Sequence, residues 1–60
     1  MPVEADIHTL HIYQGCAAFY QRDYHTALVE YEMALDIRES GHARFGRAHA
    51  LLALGRYREG

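Results

Sequence analysis

The chain has 60 residues, with six Arg and no Lys set against eight Asp plus Glu, for a formal charge of −2. That length suits one small domain whose own core is marginal, and the single cysteine, Cys16, excludes an internal disulfide. The charge balance excludes both a basic nucleic-acid surface and an acidic disordered tail.

No apolar run approaches the ~20 residues of a membrane span. The N-terminus lacks the basic and apolar regions of a secretory signal. Together with a free thiol, these features point to the cytoplasm.

The spacing of apolar residues predicts an all-α fold. A first helix is expected over about residues 3–21. Pro2 suits its first turn, and Glu4 and Asp6 suit the positive end of its dipole. Ile12, Cys16, Phe19 and Tyr20 recur at steps of 4, 3 and 1, one face of a helix. Gly15 inside this run costs about 1 kcal/mol against Ala, and such a glycine marks a close approach of another backbone. Only Arg22 and Asp23 separate this helix from the next, which forces an antiparallel helical hairpin.

The second helix is expected over about 24–38, with Asp23 as its N-cap. Tyr24, Ala27, Leu28, Tyr31, Ala34 and Leu35 form one stripe. Glu30, Glu32 and Asp36 read as a solvated face. Ser40 is the expected cap of a third helix over about 41–54, and Gly55 its left-handed stop. A fourth helix should open at about residue 56 and is cut at 60.

Tyr57 repeats the place of Tyr24 after 33 residues, and Gly15 aligns with Ala48 and Ala18 with Leu51 at the same offset. A period of that length is the signature of stacked helical hairpins. With Gly15 at the helix crossing, Asp23-Tyr24 after the turn, and then Ala27, Tyr31 and Ala34, the chain resembles the tetratricopeptide repeat (TPR) family from about Ile7 to Gly60. It departs from the pattern at His11, Gln14, Glu39 and Gly60. The resemblance implies one full repeat plus the first helix of another, an α-solenoid fragment. Its repeat-packing residues would be Gly15, Tyr24, Ala27, Tyr31, Ala34, Ala48, Leu51 and Tyr57. Leu51, Leu52 and Leu54 would lack their usual cover, and an exposed apolar stripe marks an interface.

The same resemblance implies a concave groove lined by the first helix of each hairpin. The first helix would show Thr9, Ile12, Tyr13, Cys16, Phe19 and Tyr20, and the third His42, Phe45, Gly46, His49 and Leu52. Of these, Ile12, Tyr13, Cys16, Phe19, Tyr20, Phe45, His49 and Leu52 are the expected partner contacts. Ile12, Cys16 and Gly46 stand where a carboxylate-clamping groove would carry Lys, Asn and Arg, so a C-terminal tail is not the expected ligand. An amphipathic helix, an extended segment or a second copy of the chain suits an apolar groove.

Five His invite a metal reading. His8 and His11 lie at i, i+3, a spacing that can present two ligands, but no third or fourth ligand follows at a helpful distance. Cys16 and His49 are the one candidate nucleophile–base pair, and a short helical array offers no enclosed pocket for them. The glycines are isolated, so no phosphate loop exists. The expectation is therefore an interaction module with no catalytic residue, no cofactor and no metal. It binds a protein or peptide, not nucleic acid or membrane, and is expected to self-associate or to contact the rest of a longer chain. Two alternatives stand beside it. One is a structural N-terminal segment of a larger protein, which could be an enzyme such as a glycosyltransferase. The other is a metal- or pH-responsive oligomer built on the His residues.

Overall fold

The computed structural model describes the backbone of residues 6–59 and the side chains of residues 6–55. Three helices follow one another: α1 (Ile7–Tyr20), α2 (Tyr24–Ile37) and α3 (Gly41–Glu59). The fold is all-α, with no strand among the described residues.

Asp6 sets the start of α1. Its backbone is extended (φ −57°, ψ 147°) and its carboxylate accepts from the His8 amide at 3.1 Å. Asp6 is thus the cap, not a first-turn residue, and α1 begins at Ile7 instead of near residue 3. Pro2 and Glu4 lie outside the described residues. At the other end the Asp23 amide reaches the Ala18 carbonyl and the Arg22 amide reaches Phe19, both at 2.9 Å. This is a Schellman closure, whose left-handed residue is usually Gly. Here Arg22 holds that position with φ 66°.

Asp23 also caps α2, accepting from the Thr26 amide at 3.3 Å. Arg38 ends that helix in an extended conformation. Ser40 then caps α3, its hydroxyl accepting from the Ala43 amide at 3.2 Å. Three links place α1 antiparallel to α2, because their residue numbers run in opposite senses. Arg38 bonds Asp6 at 3.0 Å, Glu30 bonds His11 at 2.7 Å, and Tyr31 lies against Gly15. The His11–Glu30 bond corrects the sequence expectation for Glu30. That side chain is half-buried and tied to α1, whereas Glu32 and Asp36 are exposed.

Gly55 does not stop α3. The helix continues to Glu59, and no glycine among the described residues has a positive φ. A helix interior tolerates Gly at about 1 kcal/mol. A fresh helix after Gly55 would need a new nucleus, which is unfavourable, while continuation adds a hydrogen bond for each residue fixed. The expected break at 55 and the separate helix from 56 are therefore absent. Tyr57 lies on α3, and its side chain is outside the described residues.

Among the described residues the buried hydrophobic ones are Ala18, Ala27, Ala34, Ala43, Ala50 and Tyr31. Five alanines let three helix backbones come close, and one tyrosine fills the space that remains. Ile12, Phe19 and Leu28 pack half-buried against this centre. Among the described residues no helix is long and apolar enough to cross a membrane.

Candidate functional site

Tyr31 decides the shape of the site. It points from α2 between α1 and α3, where both flanking helices carry a glycine. A Cβ built on Gly15 would stand 2.9 Å from the ring, and one on Gly46 would stand 2.4 Å from it. The close approach that Gly15 permits is therefore that of an aromatic ring and not of a backbone. The Tyr31 hydroxyl donates to Cys16 Sγ at 3.4 Å. Burial, and next the bond to Cys16, push the phenol above its ordinary range.

Over this ring opens a groove of about 320 Å³, walled by Ile12, Cys16, Phe19 and Tyr20 of α1 and by His42, Phe45, Gly46 and His49 of α3. The walls meet through rings. Phe19 lies edge-on to Tyr24 at 5.1 Å between centroids and 6.3 Å from His49, and His49 lies 4.3 Å from Phe45. Among the described residues no Asp, Glu or Arg lines the groove.

Six of the eight expected contacts are brought together here: Ile12, Cys16, Phe19, Tyr20, Phe45 and His49. Tyr13 and Leu52 do not line the groove. They are 67% and 61% exposed, turned outward past the rims, and Thr9 is also outside it. Each residue along a helix turns by about 100°, which carries Tyr13 away from Ile12. Tyr31 was expected as a packing residue only, and it is the groove floor as well.

Among the expected packing residues, Gly15, Ala27, Tyr31 and Ala34 are buried and Tyr24 is half-buried beside Phe19. Ala48 is exposed and Leu51 is 49% exposed. On α3 the face toward α2 is Ala43, Gly46, Ala50 and Leu54 at steps of 3, 4 and 4. Ala48, two residues from both Gly46 and Ala50, points away. The glycine pressed on Tyr31 from α3 is Gly46, and the 33-residue offset does not reveal it.

The histidines do not converge. His8 is 3% exposed, with Nδ1 3.3 Å from the Arg38 guanidinium and Nε2 without a hydrogen-bond partner. A guanidinium only donates, so His8 Nδ1 is the acceptor in this contact. His11 is engaged by Glu30. His42 and His49 stand on the groove wall. Among the described residues no three His, Cys, Asp or Glu side chains could hold a metal ion together. Cys16 is an exposed thiol whose hydrogen-bonding neighbour is a phenol.

One signal was legible in the sequence and went unread. From Ile7 to Gln21 the chain carries no Asp, Glu, Lys or Arg. An uncharged helix has no charged face to meet water, and Ile7, Leu10, Tyr13 and Tyr20 of α1 are exposed, an apolar surface of the kind that marks an interface.

No protein-family model, no curated protein and no solved structure matches the chain. The chemistry of the site thus carries the functional argument.

Proposed function

We infer that the chain is a protein–protein interaction module, built as a TPR-like pair of hairpin elements, that takes one uncharged apolar segment of a partner into the groove between α1 and α3. The observation that carries this reading is the groove itself, with aromatic and aliphatic walls from two helices, a tyrosine floor and, among the described residues, no Asp, Glu or Arg. Its walls span residues 12–20 and 42–49, about two helical turns or 12 Å. That length accommodates anchors at i, i+3 or i+4 and i+7 of an amphipathic helix, or three to four residues of extended chain. Binding is by burial of apolar side chains, with no catalysis and no cofactor.

The test is selection from a displayed library of random 12-residue peptides. Enrichment of peptides with paired apolar residues, lost on Phe45→Glu while the helical circular dichroism persists, is the expected result. No enrichment, or enrichment indifferent to Phe45→Glu, would overturn the reading.

A second reading is favoured by the uncharged exposed face of α1. In it, the chain is a structural segment of a longer protein whose remaining residues cover Ile7, Leu10 and Tyr13. Here a longer natural chain would gain thermal stability over residues 1–60, and the groove would select nothing.

A further inference from the structure

The side of α2 opposite Tyr31 carries a stripe that the described residues leave exposed. Val29, Met33 and Ile37 follow one another at i, i+4 and i+8, and each is 44–50% exposed. Glu32 and Asp36, both exposed, flank that stripe. Neither makes an ion pair among the described residues.

The same side of α3 has the opposite sign. Ala43 and Ala50 fix the face of α3 toward α2, and His42, Phe45 and His49 fix its groove face. At 100° per residue, Arg44, Arg47 and Leu51 occupy the side turned away from the groove. Arg47 makes no ion pair among the described residues, and Arg44 pairs only with its exposed neighbour Glu39, at 2.8 Å. One surface therefore holds an acidic-flanked apolar stripe on α2 beside a basic-flanked leucine on α3.

We propose that this surface, behind the groove, binds a second copy of the same chain in a two-fold pair, with α2 of each copy on α3 of the other. The register follows from contacts inside one copy. Tyr31 lies against Gly46, and Leu54 shares a hollow with Tyr24 and His25. Residues of α2 and α3 whose numbers sum to about 78 are thus level. A two-fold axis parallel to the helices lays α2 on the partner's α3 without changing any level. Glu32 then stands within a turn of the partner copy's Arg44 and Arg47, and Asp36 within a turn of its Arg44. Val29 comes level with the stretch before its Leu51. Each complementary contact occurs twice. Apolar stripes meet in the middle and opposite charges meet beside them, which fixes orientation more than it adds affinity.

The surface is small. The overlap is set by α2, about 20 Å long, with α3 about 9 Å beside it, a patch at the low end of specific interfaces, where weak and transient pairs are found. The pair leaves both grooves open on its two outer sides.

Sedimentation velocity on the 60-residue chain tests this. The wild type should be monomeric at about 5 µM and chiefly dimeric at about 500 µM. Glu32→Arg with Asp36→Arg should be monomeric throughout, and so should Arg44→Glu with Arg47→Glu. All four positions are exposed, and helical circular dichroism checks that each variant folds. Met33→Glu, at the centre of the stripe, should also abolish the dimer. Mixing the two charge-reversed variants in equal amounts should restore a dimer, since each surface again meets its opposite. A wild type that stays monomeric at 500 µM overturns the proposal, as does a dimer indifferent to these substitutions, or a mixture that does not associate.

Discussion

The ring of Tyr31 occupies the space in which a side chain on Gly46 would begin, 2.4 Å from the position of a Cβ. Gly46→Ala therefore cannot be absorbed without displacing the ring or parting α2 from α3. Overpacking of this kind costs about 1–3 kcal/mol, and the better helix propensity of Ala returns about 1 kcal/mol. A net loss of up to about 2 kcal/mol is expected. Gly15→Ala meets the ring at 2.9 Å and should be milder, near neutral to about 1 kcal/mol. Urea unfolding followed by circular dichroism ranks the two, and a Gly46→Ala variant more stable than the wild type would contradict the geometry.

Tyr31 also sets the alkaline limit. Its phenol is pushed up by burial and by its bond to Cys16 from an ordinary value of 10.0. The unfolded chain gives up this proton first. Stability is thus fully present below pH 10 and falls as pH rises above it. The chain has no Lys to add its own titration to this range. Tyr31→Phe should lose about 0.5 kcal/mol at pH 7, the worth of a weak hydrogen bond to sulfur. Above pH 10 its stability should fall less steeply. Equal alkaline slopes in the two proteins would refute the assignment.

On the acid side the sensitive pair is Asp6 and Arg38. The hydrogen bond from Arg38 leads the causes that hold the Asp6 carboxyl below its ordinary 3.8. Folding then favours the ionised form. The stability it adds is present above pH 3.8 and is lost as pH falls further. Asp6→Asn keeps a capping side chain and removes the charge, so its thermal midpoint should change less between pH 5 and pH 2.5 than that of the wild type. Because both side chains are substantially exposed, salt should narrow the difference.

Arg22 offers a stabilising change. A non-glycine residue at φ 66° carries a steric cost of about 1–2 kcal/mol. Arg22→Gly relieves it, while the freer unfolded chain takes part of the gain back. A net rise of a few tenths to about 1 kcal/mol is expected in urea unfolding. A drop would mean that the Arg22 side chain has a role beyond the turn.

The second helix was the most legible part of the chain. Tyr24, Ala27, Tyr31 and Ala34 recur at steps of 3, 4 and 3, and all four are buried or half-buried. There, pattern and packing agree because one face of the helix meets both neighbours. The third helix was less legible for two physical reasons. Gly55 carries a stop signal only if the chain turns there, and propagation was cheaper than turning. Which small residue of α3 presses on Tyr31 depends on the rotation of that helix, and a 33-residue offset measured from Gly15 does not set it. Six groove-wall residues stand at positions that the resemblance to the repeat implies, while the outward turn of Tyr13 and Leu52 and the double use of Tyr31 could not be read from it. His8 and His11 have a spacing that can present two ligands, with no third or fourth ligand at a helpful distance. Their fates, one buried beside Arg38 and one bonded to Glu30, depend on side chains 30 and 19 positions away.

A core of five alanines and one tyrosine also governs how the chain answers to temperature. Heat capacity change on unfolding scales with the apolar area exposed, and alanine exposes little. The curve of stability against temperature should be shallow, with a low unfolding enthalpy for 60 residues and a broad melting transition. A ligand or second copy that buries Phe45 or Met33 would supply the apolar area the interior lacks, and would sharpen that transition as well as raise it.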